Sequence, residues 1–250
     1  MLQRILCLIV LISLTAGCGL LPDKIDETRE WSAQKLYTQA RDALQSKNYE
    51  QAIDLYEKLE ARHPFGRYAQ QALLASAYAY YKFDEPDSAI ATLDRCIKTY
   101  PRHPHLDYAY YLKGLANFNR GKNIIDRILP QDESERDPGA ARDSFFDFQE
   151  LVRRFPDSRY AEDATLRMRH LRNNLAQHEV NVADYYMRRG AYIAAVNRAE
   201  RVIKNFQNTP AVPAALEIMV RGYRRLGLDE LAADSLRIYR LNYPERAAKL

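Results

Sequence analysis

Few residues in this chain have types and spacings that could carry chemistry. His103 and His105 flank Pro104, and two imidazoles at that distance could share a metal ion. No cysteine lies near them, and a lone His-x-His in a polar turn reads as structural. His170 and His178 stand eight apart and, on a helix, point about 80° away from each other, which favours no shared ligand. There is no Gly-x-Gly-x-x-Gly, no phosphate loop and no Gly-x-Ser-x-Gly, and the carboxylates are interspersed with Lys and Arg as on a solvated helix face. The residues therefore indicate no enzyme, no metal and no cofactor. Binding is left, and two residue types suit it. Tyrosines, 18 against 8 Phe, offer rigid contact area with a polar tip. Arginines cluster in the C-terminal half at Arg153-Arg154, Arg167/Arg169/Arg172, Arg188-Arg189, Arg198/Arg201 and Arg221/Arg224/Arg225. Such runs are solvated faces or a docking surface for an acidic partner, where Arg forms bidentate pairs with carboxylates.

The elements that must position these residues are helices. From Gln70 to His103 the spacing predicts two apolar-periodic helices, about 70–83 and 86–100, joined by a tight turn at Asp84-Glu85. Pro86 suits a first helical turn, where its missing N–H costs nothing, and Pro101 cannot continue the second helix. One pattern recurs along second helices: a small residue, an apolar one four later, another three later, then proline five later. It reads Ala52-Tyr56-Leu59-Pro64, Ala89-Leu93-Cys96-Pro101 and Ser144-Phe148-Leu151-Pro156. It continues with Ala195-Ala199-Val202, where Pro210 comes late, and Ala232-Leu236-Tyr239-Pro244. Lys47-Asn48, Gly190 and Gly227 mark the turns inside the units.

Five such units at a period near 34 resemble tetratricopeptide repeats. The resemblance implies an all-α solenoid whose stacked units share one core. It also implies a concave surface lined by first-helix residues beside the packing stripe. Those are Tyr37, Arg41 and Leu44 in the first unit, Leu74, Tyr78 and Tyr81 in the second, and Tyr108, Tyr111 and Phe118 in the third. The expectation is an extended peptide bound among these tyrosines; the other reading is that some of them simply pack between helices, as Tyr56 and Tyr80 are expected to do. Two departures interrupt the period. Residues 119–137 form an insertion, either a partner contact or disordered, after which Asp137 and Pro138 would cap and restart a helix. Residues 158–189 contain neither Gly nor Pro and read as one helix of about 48 Å, dividing an N-terminal half, 32–156, from a C-terminal half, 157–250.

Residues 1–17 lie outside the fold. Arg4 followed by the apolar run Ile5–Leu14 is too short to span a bilayer and has the layout of a secretory signal peptide. Leu14-Thr15-Ala16-Gly17-Cys18 resembles a bacterial lipobox, with Thr15 where Leu, Val or Ile is usual. That resemblance implies lipidation of Cys18, a tether over 18–31 and, because Gly19 and not Asp follows, delivery to the outer membrane. Two or more acyl chains would make a firm anchor. Cys7 leaves with the signal and Cys18 takes lipid, so Cys96 remains as a buried thiol with no intrachain partner. Loss of Arg4 lowers the net charge from +4 to +3, too little for a nucleic-acid partner.

A narrower resemblance runs over the whole mature chain. It is carried by the lipobox, His63-Pro64-Phe65-Gly66, Tyr78-Ala79-Tyr80-Tyr81, Asp107-Tyr108, Arg136-Asp137-Pro138 and Gly190-Ala191-Tyr192-Ile193-Ala194-Ala195-Val196-Asn197-Arg198. Together these resemble the BamD family, the lipoprotein subunits of the β-barrel assembly machinery of Gram-negative outer membranes. The match is weakest over 119–136 and after Pro244. The resemblance implies a non-enzymatic scaffold that faces the periplasm. Its C-terminal repeats would dock on the BamA periplasmic domain and on other small Bam lipoproteins, with Arg188, Arg198 and Arg201 as docking candidates. Its N-terminal groove would receive unfolded outer-membrane β-barrel proteins. A tetratricopeptide lipoprotein coordinating peptidoglycan synthesis or DNA uptake is the alternative.

Overall fold

The computed structural model describes residues 26–120, 134 and 138–248. Cys18, the lipobox and most of the 119–137 insertion, Asp137 among them, lie outside the described residues. Among the described residues, ten helices follow one another as five antiparallel pairs. They are α1 (Ala33–Gln45) with α2 (Tyr49–Arg62), α3 (Arg67–Lys82) with α4 (Pro86–Thr99), and α5 (Leu106–Asn119) with α6 (Gly139–Arg154). Then come α7 (Ala161–Arg188) with α8 (Tyr192–Asn205), and α9 (Val212–Arg225) with α10 (Asp229–Asn242); a short α11 (Pro244–Ala247) ends the chain. Each helix packs on the next, and the first helices of successive pairs also touch, α1 on α3, α3 on α5 and α7 on α9. First helices therefore line the inner curve of the solenoid and second helices the outer.

The recurring second-helix pattern is the core itself. Ala52, Tyr56, Leu59, Ala89, Leu93, Cys96, Ser144, Phe148, Leu151, Ala195, Ala199, Val202, Ala232 and Tyr239 are each no more than 4% exposed, with Leu236 half-buried in the last pair. The two kinds of turn have different causes. Second helices end at His63, Tyr100, Phe155 and Tyr243, each with φ between −139° and −124° and ψ near 60°. A proline follows every one, and its ring bars the preceding residue from the α region. Inside the pairs, Lys47, Asp84, Gly190 and Gly227 take φ between 63° and 74°. The next residue then bonds back across the turn, Asn48 N–H to the Ala43 carbonyl, Glu85 to Tyr80, Ala191 to Tyr186 and Leu228 to Tyr223, closing a Schellman motif.

Helix α6 starts at Gly139 behind Pro138, with no side chain bonded across its first turn. The long helix is 28 residues, about 42 Å, and begins three residues later than its Gly- and Pro-free stretch. Its two ends serve different cores. Ala164, Met168 and Leu171 close the cluster around Leu93, Leu112, Phe148 and Leu151, whereas Ala176, Val180 and Ala183 pack with Ala195, Ala199, Val202 and Ala215. Cys96 is fully buried and free, and burial pushes its thiol up to about 11.

Candidate peptide-binding groove

On α3, Gln71, Leu74, Ala75 and Tyr78 follow the i, i+3, i+4, i+7 spacing that places them on one face. That face forms the floor of a groove of about 650 Å³ on the inner curve. Tyr37 of α1 walls one side; Tyr108 of α5, Arg159 and Tyr160 wall the other, and His103 and His105 stand at the loop edge. The walls are held by aromatic contacts. Tyr37 packs on Tyr68 at 5.4 Å and on Tyr56 at 6.1 Å. Tyr108 meets Tyr160 at 5.4 Å, and Tyr111 stacks on Tyr160 from behind, 4.7 Å apart and 17° from parallel.

Polar groups lock this wall. The Tyr111 hydroxyl donates to Asp163 at 2.7 Å, and Arg167 Nε donates to the same carboxylate at 2.6 Å. Burial raises the Tyr111 phenol and the Asp163 bond adds to it, while the bonds from Arg167 and Tyr111 overcome burial and hold Asp163 low. Ser158 donates to Asp107 at 2.7 Å, which ties the α6–α7 connection to the start of α5. Burial, reinforced by Tyr78 and Tyr160, drives the Tyr108 phenol upward, so it stays a neutral donor at any physiological pH. His103, 7% exposed, accepts the His105 backbone N–H on Nδ1 at 3.0 Å. Burial, and then His105, lowers its pKa.

The structure gathers Tyr37, Leu74, Tyr78 and Tyr108 of the expected set into this groove. It places the others elsewhere. Tyr111 supports the wall without lining it. Tyr81 lies one turn beyond Tyr78, in a second hollow of about 240 Å³ with Lys82, Asp84, Pro86 and Asn119, and accepts a 2.9 Å bond from Asn119. Phe118 packs under Arg167 and against His170. Arg41 is exposed and pairs with Asp42 at 3.7 Å. Tyr56 and Tyr80 pack between helices, Tyr56 fully buried with its hydroxyl unbonded and Tyr80 donating to Glu57. The groove residues missing from the sequence-based set are Gln71, Ala75, His103, His105, Arg159 and Tyr160. The first two share the helical spacing of Leu74 and Tyr78; the others arrive through chain reversals that no local pattern reveals.

In the C-terminal half, Arg198 donates to Glu179 of α7 at 3.0 Å, and Arg142 of α6 lies 3.7 Å from the same carboxylate. Glu179 is 4% exposed, so this ion triad staples α6, α7 and α8. Arg188 pairs with Asp184 one turn earlier, and Arg201 is exposed. Within the insertion, Ser134 is bound to α7: its carbonyl lies 2.8 Å from His178 Nδ1, and its hydroxyl accepts from Asn181 at 2.9 Å. No cluster of candidate metal ligands occurs among the described residues, and none of the described helices is long and apolar enough to cross a membrane.

A stack of helix pairs around an aromatic groove defines a tetratricopeptide-type scaffold. The family described as YfiO, outer membrane lipoprotein, matches residues 29–238. The outer membrane protein assembly factor BamD of Neisseria meningitidis serogroup A is 47% identical over 234 residues, covering 94% of this chain and 88% of that one. The Vibrio cholerae protein of the same name is 37% identical over 231 residues, with 92% and 95% covered. Among solved structures, the P58(IPK) TPR domain aligns over 86% of this chain and 53% of its own, with a TM-score of 0.45 at 16% identity. The chain belongs to the BamD family of outer-membrane lipoproteins, assembly factors of the β-barrel machinery and not enzymes.

Proposed function

We propose that the groove between Tyr37 and Tyr160 receives an extended, aromatic-bearing segment of an unfolded outer-membrane β-barrel protein. The C-terminal half would meanwhile hold the scaffold on the BamA periplasmic domain and on other small Bam lipoproteins. The observation that carries the reading is the groove's make-up: an apolar floor at Leu74 and Ala75 between tyrosine walls, with polar tips and Arg159 at one end. That combination suits alternating side chains of a strand-forming segment, large apolar ones against the floor and backbone groups against hydroxyls. Among the docking candidates, Arg201 and Arg188 present their charge outward. Arg198 is bonded to Glu179 but remains 30% exposed, and a guanidinium has five N–H donors to share. Cys18 would carry the lipid that keeps this scaffold at the outer membrane.

The test is binding of a labelled peptide, copied from the last strand of a barrel client, to the purified chain. Tyr78→Ala and Tyr108→Ala are expected to weaken it about tenfold each, the loss of one well-packed aromatic contact, with helicity unchanged. Tyr111→Ala is expected to weaken it less, by releasing Tyr160. Tyr185→Ala, far away on α7, serves as control. Equal affinity across all four variants would overturn the groove.

A further inference from the structure

The most exposed large apolar side chain among the described residues is Phe65, at 89%. It stands at the tip of the α2–α3 loop, between Pro64 and Gly66, whose φ of 101° is a backbone state that favours glycine. Nothing in the groove uses it. Its position relative to the tether is the informative point. Arg62, the last residue of α2, donates to the Thr28 carbonyl at 2.6 Å and bonds the Asp26 carboxylate, and Lys58 lies 3.7 Å from Asp26. The incoming chain is therefore fastened to the end of α2, three residues from Phe65. Only seven residues lie between Cys18 and Asp26, and the eight Cα–Cα steps, fully extended, reach about 28 Å.

We propose that the His63–Gly66 loop rests on the phospholipid surface to which the chain is tethered, with Phe65 inserted at the boundary between headgroups and acyl chains. This rests on the reading of Cys18 as the lipidated residue. The same edge of the solenoid carries the α4–α5 and α6–α7 connections, and with them Arg67, Arg102 and Arg159, all exposed. Arg67 lies 4.7 Å over the Tyr68 ring and Arg159 lies 4.8 Å over Tyr160, a pairing of aromatic body and cationic head that suits a membrane interface. One phenylalanine partitions only about ten- to a hundredfold in favour of an apolar phase, too little to recruit a protein from solution. Next to a lipid anchor the encounter is intramolecular, at an effective concentration in the millimolar range, and that weak preference suffices to orient the scaffold.

The experiment uses the acylated full chain in vesicles of phosphatidylethanolamine and phosphatidylglycerol, part of the lipid brominated near the top of its acyl chains. The sole tryptophan, Trp31, is replaced by Phe, and single reporters are placed by Phe65→Trp or by Phe83→Trp. Phe83 sits at the other end of α3, about 24 Å away along a helix of 16 residues. Circular dichroism confirms that both variants fold. The expected result is that the Phe65→Trp reporter loses most of its emission to the brominated lipid and shifts to the blue, while the Phe83→Trp reporter keeps its lipid-free spectrum. An unquenched reporter at 65 in vesicle-bound protein, or equal quenching at both positions, overturns the proposal. Shielding at 65 that appears only when other assembly proteins are added assigns the loop to a protein contact and overturns it as well. Protein that fails to join the vesicles, with an unmodified Cys18 by mass, refutes the anchor instead.

Discussion

The two halves of the solenoid are built on the same helix pair but filled with different side chains. The cluster from α3 to the start of α7 is closed by Phe148, Tyr110 and leucines, with Tyr78, Tyr108 and Tyr111 around it. The cluster from the second part of α7 to α9 is closed by Ala176, Ala183, Ala195, Ala199 and Ala215 with Val180 and Val202. The cluster of α1 to α3 is also alanine-rich, with Ala40, Ala43, Ala52, Ala69, Ala72 and Ala79, so the aromatic filling is concentrated in the middle of the chain. The groove lies between the two N-terminal clusters, Tyr37 packing on the first and Leu74, Tyr78 and Tyr108 belonging to the second. Difference in side-chain volume, and not in topology, separates the aromatic middle of the solenoid from its alanine-lined C-terminal part.

Breaking the contrast at its strongest point means removing the aromatic plug. Phe148→Ala is expected to cost about 3–5 kcal/mol. In the other half the matching place already holds Ala199, and Val202→Ala, at the place that matches Leu151, is expected to cost about 2 kcal/mol for two buried methyl groups; urea unfolding of both variants measures the gap. Gly114 explains why the plug fits. A Cβ there would lie 2.5 Å from the Phe148 ring, and the Ser144 hydroxyl donates to the Gly114 carbonyl at 2.9 Å.

The joint between the halves comes next. Glu179→Ala is expected to cost about 2–3 kcal/mol, below the usual figure for a broken buried pair because Arg142 and Arg198 can turn to solvent. Separate melting of the halves by calorimetry, where the parent melts once, would show that the triad couples them. A smaller effect of opposite sign is expected at the turns. The N-terminal half places Lys47 and Asp84 in the left-handed region where the C-terminal half uses Gly190 and Gly227. Asp84→Gly is therefore expected to gain up to about 1 kcal/mol, and Gly190→Ala to lose a similar amount.

The smallest effect is one of pH. His103 titrates below its ordinary value of 6.5 in the fold because burial disfavours the cation. Its contribution is present in full above that value and is lost as pH falls through the lower folded pKa, because the unfolded chain binds the proton first. Stability of the N-terminal half should decline modestly below pH 6.5, and His103→Asn should flatten the decline.

Much of this was legible before any coordinates. The period of the second helices named buried residues in all five pairs, from Ala52 to Tyr239, since a face repeated at three and four must be the packed one. The positions adjacent to that stripe on α1, α3 and α5 led to Tyr37, Leu74, Tyr78 and Tyr108, four of the ten groove residues. What stayed hidden was brought together by tertiary contacts. Asp163, which holds Tyr111, is 52 residues away in sequence, and Arg159 and Tyr160 reach the groove only because α7 turns back across α5. Arg198 sat in an exposed-looking basic run, and nothing local shows that its partner is a buried Glu179 on the preceding helix. Lys47 and Asp84 were recognisable as turns but not as left-handed, since L residues there are uncommon.

The long helix has a consequence for anyone dissecting the chain. A fragment ending at Pro156 would lose Ala164, Met168 and Leu171 from the N-terminal core, and one beginning at Ala161 would carry those apolar residues into water. The natural cut lies inside α7, between Leu171 and Ala176. Complementary pieces should therefore divide this helix there: an N-terminal piece running to about Leu175 and a C-terminal piece starting near Arg172 each keep a closed core. Neither piece alone, however, keeps Arg142, Glu179 and Arg198 together, so the register between the two cores belongs only to the uncut polypeptide.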